Sequence, residues 1–223
     1  MRKIVLIDFD STFTKVEALD ILGEIALENH PEKEERLQKI ADITDLGMNG
    51  EYSFTQSLVD RIALLDANQS QINELIERLK TLVSTSTIRN KSFFEDNSED
   101  IYIVSSGFKE FIIPVVAEFG ISADHVFANE FEFDENGAII GFNKAIPLSE
   151  DQGKIKLVEG LNFDAEIHVI GDGFTDYEIR GAGLAKAFYA FIENKERVKV
   201  TAKADYIIKS FDEFIELNNY KLN

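Results

Sequence analysis

The 223-residue chain contains no cysteine, which excludes disulfides, thiolate nucleophiles and cysteine-based zinc sites. It has only three histidines, His30, His125 and His168, and their spacing matches no metal-ligand pattern. His168 lies inside an apolar run and reads as a core residue whose ring nitrogens find partners. No apolar run approaches the roughly 20 residues of a membrane span. Met1-Arg2-Lys3 ahead of Ile4 to Ile7 has the outline of a signal peptide, but Asp8 and Asp10 end the run at once, so the segment reads as a strand. Basic residues are also scarce, with 23 Lys+Arg against 41 Asp+Glu and a net charge of −18. Such a field disfavours nucleic acid and anionic membranes as partners. Salt screens it over roughly 8 Å, so any anionic ligand has to be held by local cations. Repeats and low-complexity tracts are missing as well. The expectation is one substantial core, alone or with a smaller module, in a cytoplasmic protein that binds neither nucleic acid nor membrane.

Against these absences stand two acidic clusters, each directly after a short apolar run. Asp8-Phe9-Asp10-Ser11-Thr12 follows Ile4 to Ile7, and Gly171-Asp172-Gly173-Phe174-Thr175-Asp176 follows Ile167-His168-Val169-Ile170. Both runs are rich in β-branched residues and read as buried strands. Ligands of open α/β sheets bind outside the carboxyl ends of the strands, so two parallel neighbours here would bring three or four carboxylates into one crevice. Like charges at that distance raise one another's pKa and call for a divalent cation.

Between the clusters the pattern is first helical for about seventy residues. Ala18 to Leu27 carries apolar residues at helical spacing. A second helix opens at Pro31 and is broken by Gly47-Met48-Asn49-Gly50, and two more cover Ser53 to Leu65, with Ser53 as N-cap, and Ser70 to Val83. From Ile101 strands and helices alternate. Ile101 to Val104 is a strand, Ser105-Ser106-Gly107 a turn, and Phe108 to Phe119 a helix that Pro114 kinks or delays. A strand over His125 to Ala128, a hairpin over Phe131 to Phe142 around Glu135-Asn136-Gly137 and a helix over Lys154 to Leu161 follow. The remainder supplies a helix from Tyr177 to Gly183, strands near Ala187 to Ala190 and Tyr206 to Ile208, and a last helix from Phe211 to Leu217. Phe93-Phe94 and Phe188 to Phe191 read as core. The predicted class is α/β, a Rossmann-like parallel sheet with helices on both faces. Residues 1–13 and 84–223 form that core, and residues 14–83 form an inserted helical cap. Topology alone leaves open whether the insert is a lid or a bundle packed on the sheet edge.

Asp8-x-Asp10-x-Thr12, Ser105 after a strand, Lys154, and Gly171-Asp172-Gly173-x-x-Asp176 stand in the order of the four motifs of haloacid dehalogenase superfamily phosphatases. The chain resembles that superfamily over its whole length. Within it, the chain is similar to the phosphoserine phosphatase family, whose helical cap also follows the first motif. Glu17, Met48, Phe54 and Arg61 fall where that family carries substrate-facing residues. The resemblance implies a Mg2+-dependent phosphomonoesterase that hydrolyses O-phospho-L-serine to serine and phosphate through an aspartyl phosphate, a step of serine biosynthesis. It makes Asp8 the nucleophile, and Asp10 the group that protonates the leaving oxygen and then deprotonates water. Lys154 offsets the phosphoryl charge and restrains Asp8. Mg2+ is then held by Asp8, the backbone carbonyl of Asp10 and Asp172, with Asp176 orienting its waters or Lys154. Ser105, Ser106 and Gly107 cradle phosphate oxygens, and Thr175 also faces the substrate. Arg61 pairs with the substrate carboxylate and Glu17 with its ammonium, while Met48 and Phe54 shape the pocket.

The chain departs from that pattern in places. Ser106 replaces a frequent glycine, Asn49 replaces the usual glycine after Met48, Ser84-Thr85-Ser86-Thr87 replaces a Pro-Gly turn, and Pro114 also occurs in relatives acting on other phosphates. On the residues alone, Glu17 and Arg61 read equally as exposed helix charges, Met48 and Phe54 as the insert's own core, Ser105 as a helix cap and Lys154 as a surface group. Two rivals therefore stand beside the leading reading. One is a phosphatase or phosphotransferase for another small phosphorylated metabolite, and the other is a non-catalytic regulatory protein of the same fold. Either a monomer or a homodimer is expected.

Overall fold

A computed structural model describes residues 2–48 and 51–220, with the backbone only at Met48. The expectations for the Met48 side chain and for Asn49 and Gly50 therefore lie outside the described residues. In chain order, β1 (Lys3–Ile7) leads through a wide turn over Phe9–Phe13 into four helices, α1 (Ala18–Ala26), α2 (Lys33–Met48), α3 (Phe54–Leu65) and α4 (Gln69–Thr81). Two short helices, α5 (Thr85–Arg89) and α6 (Lys91–Asp96), precede β2 (Ile101–Phe108), α7 (Lys109–Val116) and β3 (Val126–Asn129). A hairpin of β4 (Phe131–Phe133) and β5 (Ile139–Phe142) is followed by α8 (Gly153–Leu161), β6 (Glu166–Gly171) and α9 (Phe174–Gly181). The chain closes with β7 (Ala187–Phe191), α10 (Val198–Thr201), β8 (Tyr206–Ile208) and α11 (Phe211–Leu217).

Six strands form one sheet in the order β3-β2-β1-β6-β7-β8, every pair parallel. The direction of travel reverses between β1 and β6, so the crevice at which such sheets take ligands opens there. Period-two alternation sends Val5, Ile7, Ile103, Ile170 and Phe191 to one apolar cluster with Phe94, Phe111 and Phe211, and Ile4, Leu6, Val169 and Phe188 to another with Val158 and Ile179. The sheet is thus covered by helices on both faces, as its continuous apolar strands require. Phe94 meets Phe13, Phe119 and Phe211 edge-on, so these rings are core, as the composition suggests.

The chain enters and leaves the four-helix insert through two adjacent crossings. Thr14 bridges Val83, and Ser84 donates its amide to the Phe13 carbonyl at 2.9 Å. Asn194 grips both crossings, reaching the Ser11 carbonyl at 3.1 Å and Ser84 Oγ at 2.7 Å. Ser53 caps α3 as expected, and Asn68 with Gln71 forms a capping box on α4. α4 packs on α7, and the apolar side of α1, α3 and α4 joins the same cluster as the sheet.

Several boundaries differ from expectation. Ser105-Ser106-Gly107 is not a turn but extended chain continuing β2 to Phe108, with a register shift against β3 between Val104 and Phe108. The helix after it begins at Lys109, is not delayed by Pro114, and gives way to a 3-10 turn at Ala117–Phe119. Pro114 lacks an N–H to continue the ladder, which accounts for the short helix. His125 belongs to a 3-10 turn before β3 rather than to the strand. α5, α6 and α10 carry too few residues to show a helical period.

Candidate active site

Register brings the two acidic clusters together. Ile7 lies opposite Ile170 in β6 and opposite Ile103 in β2, and the Asp8 amide continues the ladder to the Ile170 carbonyl at 2.9 Å. Asp8 and Asp172 therefore leave two adjacent strands at the same end, beside Ser105 in the last part of β2. The wide turn after β1 puts Ser11 at φ 53°, and it aims Asp10 at the start of α1, where Asp10 Oδ1 accepts the Ala18 amide at 2.8 Å. Gly171 is required at its position, because a Cβ there would lie 2.2 Å from Asp176 Cγ. The freed space lets Asp176 fold back and accept the Gly173 amide at 3.0 Å.

Lys154, at the start of α8, reaches between two carboxylates, 3.0 Å from Asp8 Oδ1 and 2.7 Å from Asp176 Oδ1. Its side chain is 3% exposed, so it is no surface lysine. Asp8 Oδ2 accepts no hydrogen bond from the described residues. Arg197, which carried no signal in the sequence, donates to Asp172 at 2.8 Å and lies 3.3 Å from both Glu17 and Asp45. Ser11 Oγ donates to Glu17 at 2.8 Å.

Every described Asp, Glu, Lys or Arg that is buried belongs to this constellation: Asp8, Asp10, Glu17, Asp172, Asp176, Arg61, Lys154 and Arg197. With all of them ionised, five carboxylates against three bases leave two negative charges uncompensated, which favours proton uptake by the cluster. The strain shows in the titrations. Burial, then the charge of Glu17, pushes Asp172 up to about 8, and burial with the charge of Asp8 pushes Asp176 up to about 7. Asp10 is held well above the usual carboxylate range by burial and then by Glu17 and Asp8. Burial opposes the charge of Lys154, but Asp176 and Asp8 outweigh it and raise its pKa.

Asp8, Asp172 and Asp176 each bring one carboxylate oxygen within 4.8 Å of the others. Buried, hard oxygen donors with two unbalanced negative charges suit Mg2+. Asp176 sits beside the other two acidic side chains with Oδ1 on Lys154 and Oδ2 on the Gly173 amide.

Asp8, Asp10, Leu19, Arg61, Ser105, Ser106, Gly107, Lys154 and Thr175 line a cavity with about 10 Å³ of free volume, room for one water at most. Sheet end and insert meet over it. Arg61 from α3 is buried and forms no ion pair with the described residues; it donates to the Ser57 carbonyl at 3.3 Å and to Thr44 at 3.4 Å. Burial lowers its pKa while Glu17, Asp20 and Asp10 act in the opposite sense. Ser105 Oγ accepts the Gly107 amide at 3.0 Å and so shapes the bulge rather than capping a helix. Glu17 is buried, not an exposed helix charge, but it is engaged by Ser11 and Arg197 and stands outside the cavity wall. Phe54 is buried in the apolar cluster and is likewise not in the wall, which instead includes Leu19. A larger surface depression of about 540 Å³ between α3 and β5 lies away from the acidic cluster.

The insert's tip is tied to the sheet end by polar contacts. Lys195 pairs with Asp45, Lys199 with Glu51 at 2.7 Å, and Ser53 donates to Asp151 at 2.9 Å. No described helix is long and apolar enough to cross a membrane.

Comparison with known proteins agrees with this geometry. The family model for haloacid dehalogenase-like hydrolases matches residues 5–179. A protein of Arabidopsis thaliana described as chloroplastic phosphoserine phosphatase is 29% identical over 214 residues, 95% of this chain and 70% of that protein. A phosphoserine phosphatase of Drosophila melanogaster is 30% identical over 217 residues, 96% of this chain and 77% of that one. Among solved structures, a phosphoserine phosphohydrolase-like protein from Francisella tularensis superposes with a TM-score of 0.86 at 30% identity, covering 96% of this chain and 99% of its own. With the family model spanning both acidic clusters and the sheet between them, the chain belongs to the haloacid dehalogenase-like hydrolases.

Proposed function

We propose that the protein hydrolyses O-phospho-L-serine to serine and phosphate through a phosphorylated Asp8, as a cytoplasmic enzyme of serine biosynthesis. The observation that carries this reading is the buried Arg61 guanidinium, without an acidic partner among the described residues, facing Asp8 and Lys154 across one cavity. One end of that cavity suits a phosphoryl group and the other a carboxylate. The similarity to phosphoserine phosphatases of Arabidopsis thaliana and Drosophila melanogaster supports the same substrate.

Asp8 Oδ2 attacks phosphorus while Oδ1 is held by Lys154. Asp10, whose protonated form is favoured by burial and by the charges of Glu17 and Asp8, gives its proton to the departing serine oxygen as the P–O bond breaks. In the second half Asp10, now a carboxylate, takes a proton from the water that attacks phosphorus. Asp8 and inorganic phosphate are thereby released. Lys154 stabilises charge on the phosphoryl oxygens, and Ser105, Ser106 and the Gly107 amide bind them, with Thr175 beside them. Asp8, the Asp10 carbonyl and Asp172, with Asp176 alongside, would hold Mg2+, which would supply the positive charge that lets an anion approach this acidic site. Glu17 receives the substrate ammonium after it exchanges partners with Arg197, a contact now 3.3 Å long. The free volume over Asp8 is too small for a phosphoamino acid, so residues 14–83 act as a lid that opens for exchange.

Asp8→Asn tests the chemistry. With Mg2+ and a panel of phosphomonoesters, the wild type should release phosphate fastest from O-phospho-L-serine, and the variant should lose at least about 10³-fold in kcat with an unchanged circular dichroism spectrum. Undiminished turnover by the variant would reject the mechanism, and a different preferred ester would reject the substrate.

A further inference from the structure

Arg61 is not held by an acid. Among the described residues its one side-chain partner is the buried hydroxyl of Thr44 on α2, which accepts from Arg61 Nη1 at 3.4 Å. Thr44 Oγ1 also lies 3.2 Å from Asp20 Oδ1 on α1 and 2.9 Å from the Ile40 carbonyl. A hydroxyl has one proton and two lone pairs. When the proton goes to Asp20 or Ile40, a lone pair is left facing Arg61. The contact joins α1, α2 and α3 at one point, and Nη2 of Arg61 makes no hydrogen bond to the described residues.

We infer that Thr44 and Asp20 are positioning residues, which hold the Arg61 guanidinium in the pose that receives the carboxylate of a phosphorylated amino acid. The inference rests on the substrate proposed above. Neither residue lines the cavity, so neither touches the reacting atoms. Asp20 adds a second effect, because its charge lies close enough to act on Arg61 without pairing with it. The guanidinium is thereby balanced in the empty lid yet keeps free N–H groups for a ligand. A direct salt bridge would have occupied those groups.

The test compares O-phospho-L-serine with O-phosphoethanolamine, the same molecule without the carboxylate. Thr44→Val should raise KM for phosphoserine about tenfold, the loss of one hydrogen bond to a charged group, while kcat stays within about twofold. kcat/KM for phosphoethanolamine should not move, and Thr44→Ser should restore the wild-type KM. Asp20→Asn should shift phosphoserine KM in the same direction, and it decides the matter if Thr44→Val fails to give a cooperative melt. Equal losses on both substrates, or an unchanged KM ratio in folded variants, would overturn the positioning role. A wild type that does not prefer the carboxylate-bearing ester would overturn the reading of Arg61 itself, and this inference with it.

Discussion

At the carboxyl ends of the parallel strands eight ionisable side chains are withdrawn from water, whereas at the amino ends Lys3, Glu166, Lys186 and Asp205 line an open depression of about 440 Å³. The ionisable groups buried beneath that depression are His168 and its neighbour Tyr189. His168 Nε2 lies 3.0 Å from Glu166 and its Nδ1 3.1 Å from the Tyr189 hydroxyl, so both nitrogens are satisfied. The same sheet, with the same alternating apolar strands, therefore treats charge differently at its two edges. Removing a charge from water costs several kcal/mol even after relaxation. The amino end avoids that cost, and the carboxyl end retains it because carboxylates crowded in a dry crevice hold a cation and attack phosphorus in ways solvated ones do not.

The contrast is broken most severely by Lys154→Met. It leaves Asp8 and Asp176 without their shared cation and should cost about 3–5 kcal/mol of stability at neutral pH. The same change should lower phosphate release by about 10²–10³-fold. Urea titration and phosphate assay read the two separately, and full activity in the variant would contradict the role given to Lys154.

A second prediction opposes the two ends through pH. Asp172 and Asp176 titrate near 8 and 7 in the folded chain, above the ordinary value of roughly 4. The folded state therefore binds the extra protons, and their stabilising contribution is full below roughly pH 4, declines as pH rises above it and is gone once pH passes about 7–8. Thermal melts in EDTA should fall over that range. Asp172→Asn should flatten the fall, and Mg2+ should raise the melting temperature most at the alkaline end. A metal-free protein more stable at pH 8.5 than at pH 6 would contradict the charge balance drawn for the site.

His168 contributes with the opposite sign and a smaller size. Burial holds its pKa below the ordinary value, although Glu166 opposes this. Its contribution is present above roughly pH 6.5 and disappears as pH falls through the folded value. His168→Gln should reduce the loss of stability on acidification, cost about 1 kcal/mol at neutral pH and leave phosphate release unchanged. A marked drop in activity would show that the two ends are coupled.

Much of this was legible before any coordinates. β1 and β6 announce themselves by β-branched runs that stop at acidic turns, and Asp8, Asp10, Asp172 and Asp176 sit in the motif spacing that such turns produce. Ser53 and the apolar periodicity likewise marked α3. Arg197 and Asn194 gave no signal, because both lie in an irregular segment and act on residues more than a hundred positions away, as at Glu17, Ser11 and Ser84. The extended course of Ser105-Ser106-Gly107 is not legible in the residues, since small polar residues suit both conformations and the β3 pairing of Val104 and Phe108 on either side selects one.

Local sequence determined the kinds of element, the apolar faces and the acidic turns, because propensity and periodicity act over a few residues. Only the tertiary structure decided that Lys154 stands between Asp8 and Asp176, that Arg197 ties the second cluster to the insert, and that Arg61 is buried without an acid. Those relations depend on strand register and helix packing, which sum weak contacts over the whole chain. A charged side chain has the same identity in solvent as in a sealed crevice, and burial alone separates the two.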